Sequence, residues 1–474
     1  MGVTAWVCER ALLPSGEVAR DVLVEARDGR ITRVEALGSA SAEAVPGTGS
    51  ASAGAAPGAR RLRGLVLPGM ADAHSHAFHR ALRGRTHAGR GSFWTWREQM
   101  YGIAGRLTPD TYLALARAAF AEGALTGYTS VGEFHYLHHG PDGTPYADAN
   151  EFGHVLVQAA RDAGVRLSLL DTCYLTGGVE PTAGHGGTHA PLTGAQVRFG
   201  DGTAEAWAKR VDDLASAYAD APDVVVGAAI HSVRAVPAEA LSVVAGWAAD
   251  RAAPLHAHVS EQPAENEACH AVHGTTPSQL LYDHGVLSER FTAVHATHLT
   301  PEDLAVLGET RSCVCLCPTT ERDLADGIGV ARAMLDAGAR LSFGSDSRAV
   351  VDAFEEARAA ELNARLQTLQ RGVLTSGELL AGLTVDGHAS LGFADAGRLE
   401  VGARADLVAV SLDSVRTAGA SAAAVADMVL FAASGADVTD VVVDGREVVV
   451  DGRHVLGDVA ALLTDAITNA YEES

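Results

Sequence analysis

The sequence lacks the features that mark membrane, secreted and nucleic-acid-binding proteins. No apolar run approaches the roughly 20 residues needed to cross a bilayer, and no basic segment followed by a long apolar stretch opens the chain, so no secretory signal is predicted. Basic residues are scarce, with 36 lysines and arginines against 59 acidic residues, and the absence of a basic stripe argues against a nucleic-acid partner. Six cysteines are too few and too clustered for a disulfide framework. These absences favour a reducing, cytoplasmic location.

The composition that remains is typical of a folded globular protein, with 47% hydrophobic and 20% charged residues. A chain of 474 residues is longer than the roughly 250–300 residues at which a single core stops growing, so more than one structural unit is predicted. The net charge of −23 implies that an anionic substrate would need a local basic pocket.

Both ends of the chain have strand character. Apolar and polar residues alternate at Val22–Ala26 and Arg30–Val34. Near the other end, Ala405–Val410 and Asp440–Val450 are β-rich, the latter with a turn at Asp444-Gly445. We therefore predict that residues 1–64 and 398–474 fold together as a small β-sandwich domain, the latter also carrying a tail. Residues 38–60, rich in Gly, Ala and Ser, are predicted to form a loose surface excursion.

The middle of the chain, residues 65–397, alternates short apolar runs with helical patterns such as Pro109–Leu125. Strands that alternate with helices indicate a parallel sheet, and eight such units suit a closed (β/α)₈ barrel. The eight predicted strands are Leu65–Pro68, Thr129–Glu133, Val165–Leu170, Val224–Ile230, Leu255–Val259, Phe291–His295, Ser312–Leu316 and Leu341–Asp346.

Histidines and carboxylates cluster at the predicted carboxyl ends of these strands. His74 and His76 are two residues apart, so on a strand they point to one face and can share a metal ion. Alone, the pair could equally be two surface histidines after a turn. Similar side chains follow later strands, namely His256, His258, Glu261, His295, His298 and Asp346. Three or four such ligands with one open position are the pattern of a metal-dependent hydrolase.

In this arrangement the chain resembles the amidohydrolase superfamily. The resemblance implies that His74, His76, His258 and Asp346 are the metal ligands, that Glu261 is the proton shuttle, and that His295 lies beside the attacking water. His256 is a rival ligand, but the spacing to Glu261 favours His258. No lysine occupies the usual bridging position on strand four, which implies one divalent ion. Zn²⁺ is expected, with Fe²⁺ or Mn²⁺ as alternatives.

Within that superfamily, several stretches resemble formimidoylglutamate deiminases. They are His74-Ser-His-Ala-Phe, Ser92-Phe-Trp-Thr-Trp-Arg97, Gly132-Glu-Phe-His-Tyr136, His231-Ser-Val-Arg234-Ala-Val, Val294-His-Ala-Thr-His-Leu-Thr and Leu316-Cys-Pro-Thr-Thr-Glu321. The resemblance implies hydrolysis of N-formimino-L-glutamate to N-formyl-L-glutamate and ammonia in histidine degradation, and a homodimer. It also implies that the substrate is held by Arg97, Tyr136, His231, Arg234 and His79.

Two positions depart from the family pattern. His79 stands where relatives have a substrate-binding glutamine, and Arg348 stands where they often have histidine. We expect Arg348 to be either a cation near the site or a loop charge.

Two other functions stay open at this stage. One is deamination of a guanine or adenosine derivative, and the other is a non-catalytic binding protein on the same scaffold. Other candidates receive no chemical role: Asp72 is expected to bond locally, His185 and His189 to be solvated, and Cys313, Cys315 and Cys317 to be buried as small apolar residues.

Overall fold

The computed structural model describes residues 3–37, 58–87, 91, 93–182 and 187–472. Most of the predicted surface excursion at 38–60, together with His185, lies outside these residues. No helix in the described ranges is long and apolar enough to cross a membrane.

The described chain contains eighteen strands. In chain order they are β1 (Thr4–Leu12), β2 (Val18–Arg27), β3 (Arg30–Ala36), β4 (Arg60–Pro68), β5 (Met70–Ser75), β6 (Tyr128–His135), β7 (Arg166–Cys173), β8 (Gly178–Pro181), β9 (Gly187–Ala190), β10 (Val224–Ile230), β11 (Leu255–Val259), β12 (Phe291–His295), β13 (Cys313–Leu316), β14 (Arg340–Phe343), β15 (Leu407–Val410), β16 (Val438–Val443), β17 (Arg446–Val450) and β18 (Arg453–His454).

The α-helices of the described residues are α1 (Phe93–Ala104), α2 (Pro109–Leu125), α3 (Glu151–Ala163), α4 (Ala204–Ala217), α5 (Ala238–Asp250), α6 (Pro263–His273), α7 (Pro277–Asp283), α8 (Pro301–Glu309), α9 (Pro318–Asp323), α10 (Ala331–Ala337), α11 (Ala353–Thr368), α12 (Ser376–Leu383), α13 (Val385–Ser390), α14 (Val425–Ala432) and α15 (Val459–Glu472). Short 3₁₀ helices cover Ala77–Leu82, Gly194–Arg198, Ala422–Ala424 and Gly435–Asp437.

Helix α2 has the bounds expected from its sequence, because its first turn is fixed locally. The Thr108 side chain accepts a hydrogen bond from the Thr111 backbone N–H, and Pro109 occupies the first helical position, where no N–H is needed. Thr276 before α7 and Thr300 before α8 use the same pairing of a capping threonine with a proline.

The barrel is a parallel sheet in the order β5-β6-β7-β10-β11-β12-β13-β14. It closes through a parallel bridge between Ser75 and Asp346. The backbone N–H of Asp346 donates to the His74 carbonyl at 2.9 Å, and the N–H of His76 donates to the Asp346 carbonyl at 3.1 Å. The closing seam therefore joins two segments that were both predicted to carry metal ligands.

Strands from both ends of the chain form the second sheet, in the order β18-β17-β16-β15-β4-β1-β2-β3. A (β/α)₈ barrel beside a small β domain built from both chain ends is therefore confirmed. Buried Arg166, at the start of β7, links the two sheets because its guanidinium donates to Asp406 at 2.9 Å and to Asp444 at 3.0 Å.

One predicted strand was assigned to the wrong sheet. Leu65–Pro68 is the end of β4, which pairs with β1 and β15 in the small sheet, and the first barrel strand is β5. The chain passes from one sheet to the other at Gly69, where a Cβ atom would stand only 2.4 Å from Thr129 Oγ1. Because the predicted boundary at residue 65 falls inside β4, we propose Gly69 as the division. The boundary at 397 stays a prediction.

Candidate metal centre and active site

The carboxyl ends of the barrel strands carry a cluster of buried histidines and acids. His74 and His76 lie at the end of β5, His258 on β11, and Asp346 just after β14. Several non-glycine residues here have positive φ angles: Ser260, His295, Ala296, Asp346 and Arg348. Such backbone strain is concentrated at functional sites, where the surrounding structure holds it in place.

Four side chains could hold one metal ion. One ligand atom from each of His74, His76, His258 and Asp346 lies within 4.8 Å of the others. The Asp346 carboxylate is 3.3 Å from His74 Nε2 and 3.4 Å from His76 Nε2. Three imidazoles and one carboxylate are a donor set that suits zinc and similar divalent ions.

Hydrogen bonds on the far side of the rings support this assignment. Nδ1 of His76 is 2.9 Å from the Phe134 carbonyl, and Nδ1 of His258 is 2.9 Å from the His231 carbonyl. Both Nδ1 atoms must therefore carry the proton, which leaves each Nε2 with a lone pair. Nε2 of His258 is only 3.2 Å from Nε2 of His74. Burial lowers the pKa of His76 and of His258, so both rings are neutral, as metal ligation requires.

The rival ligand His256 points elsewhere, since its Nε2 lies 2.9 Å from the Ser390 carbonyl. A second cluster of possible ligands, His135, His138 and Asp171, is also buried. There the two Asp171 oxygens each accept a hydrogen bond of 2.8 Å from Arg210, which already neutralises the carboxylate. That cluster is a structural ion pair.

The cysteines of β13 are buried as expected. Burial raises the pKa of the Cys313 thiol to about 12, so this residue is a protonated packing group. Cys317 lies close to His295 and Asp346, so it borders the same site.

Glu261 and His295 stand next to the four candidate ligands. Glu261 Oε1 is 3.8 Å from His295 Nε2, and the same nitrogen is 3.7 Å from Asp346 Oδ2. Burial alone would lower the pKa of His295, but the carboxylates of Glu261, Glu321 and Asp346 outweigh it and raise the pKa well above the usual value. His295 thus lies among three carboxylates, next to Glu261.

One cavity joins this cluster to the predicted substrate contacts. Its wall includes all five of them: His79, Arg97, Tyr136, His231 and Arg234. Nε2 of His79 is 2.9 Å from the Tyr136 hydroxyl, and burial lowers the pKa of His79 to about 3. His79 is thus a neutral ring in hydrogen-bond contact with Tyr136.

Six further side chains line the cavity, and none of them was predicted from the sequence to contact the substrate. They are Trp96, Met100, Tyr101, Tyr174, Phe199 and Leu324. Tyr101 follows Arg97 by one helical turn on α1, a spacing that places both side chains on one face. Tyr174 directly follows β7, a strand-end position that often carries function in barrels. Phe199 and Leu324 come from connecting segments whose sequence gave no such signal.

Asp72, to which no role was given, fixes the loop that carries Asp346. Its carboxylate accepts hydrogen bonds from the Ser345 backbone N–H at 2.8 Å and from the Ser345 hydroxyl at 2.6 Å. Arg348 is fully buried behind the same loop and donates to Ser75 Oγ at 3.0 Å and to the Ala119 carbonyl at 2.8 Å. Arg348 is therefore a structural cation and does not line the cavity.

Glu133, on β6, ties the residues around His76 to the same network. It accepts hydrogen bonds from the Ala77 backbone N–H at 2.7 Å and from the Ser75 hydroxyl at 3.0 Å. Burial raises the pKa of Glu133 to about 7.

Comparison with known proteins places the chain among hydrolases. A model of the amidohydrolase family matches residues 65–448. The formimidoylglutamate deiminase of Pseudomonas aeruginosa is 37% identical over an alignment of 454 residues that covers 94% of this chain and 94% of that one. An amidohydrolase crystal structure from Brucella melitensis is similar at 32% identity, with a TM-score of 0.87 over 99% of this chain and 100% of that one. An adenosine deaminase from Xanthomonas campestris with bound zinc is 25% identical, with a TM-score of 0.80 over 98% and 97%.

Proposed function

The chain belongs to the amidohydrolase family, and on that premise we propose that it is a metal-dependent deiminase that hydrolyses N-formimino-L-glutamate to N-formyl-L-glutamate and ammonia. The observation that carries this proposal is the shared cavity, in which two arginines face a set of candidate metal ligands. The similarity to the Pseudomonas deiminase supports the same substrate. The proposed reaction belongs to histidine degradation.

The substrate explains why two arginines would stand in one cavity of an acidic protein. N-formimino-L-glutamate has two carboxylates and an amidine-like head. Arg97 and Arg234 can each bind a carboxylate through two parallel hydrogen bonds. Tyr136, His231 and His79 add shorter-range polar contacts, so the substrate is held with its formimino carbon towards the candidate ligands.

The ligands His74, His76, His258 and Asp346 would hold a single ion, proposed to be zinc, with Fe²⁺ and Mn²⁺ as the alternatives. Such an ion supplies water with a pKa lowered to about 7. We also propose that the protein acts as a homodimer.

The remaining steps fall to the chain's own residues. His295 and the Asp346 carboxylate orient the attacking water towards the formimino carbon. Glu261 accepts a proton from that water and delivers it to the imino nitrogen. The hydroxyl proton of the tetrahedral carbon then passes through Glu261 to the same nitrogen, and the carbon–nitrogen bond breaks as the carbonyl forms, so one water and one amidine give one formamide group and one ammonia.

A second candidate is deamination of a purine-like ring, which the aromatic walls of the cavity favour. Trp96, Tyr101, Tyr136, Tyr174 and Phe199 could stack against such a ring. A neutral ring, however, has no carboxylate for Arg97 or Arg234 to bind.

The test is ammonia release from a panel of substrates by the zinc-loaded protein. N-formimino-L-glutamate should react fastest, N-formimino-L-aspartate more slowly, and guanine and adenosine not measurably. Changing Arg97 or Arg234 to alanine should lower kcat/KM for the diacid about 10- to 100-fold. Faster turnover of guanine or adenosine that survives both substitutions would replace the deiminase proposal by the second candidate.

A further inference from the structure

The 3₁₀ helix Gly194–Arg198 forms hydrogen bonds to helix α1, which carries Arg97, and to the segment that follows α1. Its Arg198 is completely buried and donates to the carbonyls of Ala104 at 2.5 Å and Leu107 at 2.8 Å. These bonds fix the backbone where α1 ends. None of the motifs that identify the family includes this segment.

The same 3₁₀ helix also contacts α1 through a side chain. Buried Gln196 donates from Nε2 to the hydroxyl oxygen of Tyr101 at 3.1 Å and to that of Tyr174 at 3.2 Å. Its Oε1 accepts from the Thr193 backbone N–H at 3.2 Å, which fixes which end of the amide faces the two phenols. Gln196 thus links an aromatic residue of α1 to one that follows β7.

Tyr101 passes this constraint on to Arg97. Nε of Arg97 donates to the Tyr101 hydroxyl oxygen at 2.7 Å, and the guanidinium carbon lies 5.2 Å from the centre of the Tyr101 ring. The Tyr101 oxygen therefore accepts from both Gln196 and Arg97. The guanidinium group is planar, so a hydrogen bond at Nε also fixes the directions of the N–H groups on the two Nη atoms. The position of Tyr101 therefore determines where the remaining donors of Arg97 point.

We propose that Gln196 is a positioning residue that, through Tyr101 and Tyr174, sets the place and plane of the Arg97 guanidinium and so determines the carboxylate spacing that the site accepts. This inference rests on the proposed function, because it takes the Arg97 partner to be a carboxylate of the substrate. Gln196 itself does not line the cavity wall that holds Arg97 and Glu261.

The decisive variant is Gln196→Met, which keeps the length of the side chain but donates no hydrogen bond. Losing the alignment of the Arg97 guanidinium should lower kcat/KM for N-formimino-L-glutamate about 10- to 100-fold, mostly by raising KM. It should also reduce the ratio of this kcat/KM to that for N-formimino-L-aspartate. Gln279→Met is the matched control, because the Gln279 side chain donates to Asp283 on the exposed face of α7. This control should change kcat/KM less than twofold.

A double-mutant cycle separates positioning from general damage. In an Arg97→Ala background, Gln196→Met should cost less than twofold, because the group that it positions is gone. An equal loss in both backgrounds would overturn the inference. If Gln196→Met does not fold, Tyr101→Phe removes one hydroxyl from the same chain of bonds and should show the same dependence on Arg97.

Glutarate binding, measured by calorimetry, distinguishes failure of this inference from failure of the proposed function. Glutarate has two carboxylates and no formimino group, so it reports on the arginines without catalysis. Weaker glutarate binding by Gln196→Met than by wild type supports the inference even if the wild-type protein releases no ammonia. Unchanged glutarate binding overturns it even if turnover is as proposed, and wild-type protein that neither binds glutarate nor releases ammonia overturns both.

Discussion

Replacing Glu133 by glutamine should change how stability depends on pH. The free energy of unfolding of the variant, measured relative to that of wild type, should be higher at alkaline pH than at acidic pH. The Glu133 carboxyl is completely buried, and burial raises its pKa from the usual 4.5 to about 7. Glutamine has the same shape and can still accept the Ala77 N–H bond. The variant therefore removes the titration while disturbing the packing little.

The sign follows from where the proton is bound. Between pH 4.5 and about 7 native Glu133 keeps its proton while the unfolded chain has lost it, so raising the pH through this interval destabilises the native state. At about 1.36 kcal/mol per pH unit, the interval corresponds to roughly 3 kcal/mol of unfolding free energy. Most of that loss should fall between pH 5 and pH 8.

The assay is urea unfolding of both proteins at pH 5 and pH 8, with the zinc content held constant. The stability of Glu133→Gln relative to wild type should rise by about 2.5 kcal/mol between the two pH values. Glu267→Gln, at an exposed position on α6, controls for loss of one carboxylate and should track wild type. A constant difference between Glu133→Gln and wild type at the two pH values would refute the reasoning.

Three further predictions concern the site and the join between the sheets. Glu261→Gln should lower kcat about 100- to 10,000-fold while elemental analysis shows unchanged metal; retained ammonia release would exclude proton transfer by Glu261. His258→Ala should lose the metal, whereas His256→Ala should retain it because that ring bonds to a backbone carbonyl; the opposite result would exchange their roles. Arg166→Met should lower the free energy of unfolding in urea by about 3–5 kcal/mol. The control Arg161→Met removes an exposed ion pair and should lower it by at most about 1 kcal/mol. Equal losses in the two variants would contradict the role of Arg166 in linking the two sheets.

Most of the barrel could be predicted because its strands are short buried runs and its helices begin with local signals. Helix α2 is the clearest case, since Thr108 and Pro109 fix its start without reference to the rest of the chain. The mistaken strand, Leu65–Pro68, is as apolar as a barrel strand. Its sheet is decided by pairing with β1 and β15, which are remote in sequence.

The same limit applies to the site. His74 and His76 are recognisable because two residues on one strand share a face. Gln196, by contrast, acts on α1 through a contact 95 residues away in sequence, and no local pattern indicates it. The positive φ angles of His295 and Asp346 also have no sequence signal, because neither residue is a glycine.

Product analysis in ¹⁸O-labelled water tests the central claim most directly. Attack of water on the formimino carbon with loss of its terminal nitrogen should convert N-formimino-L-glutamate into one equivalent of ammonia and one of N-formyl-L-glutamate that carries ¹⁸O in the formyl group. Formation of glutamate and formamide, which requires the other carbon–nitrogen bond to break, or failure to consume the substrate with zinc bound, would contradict the account.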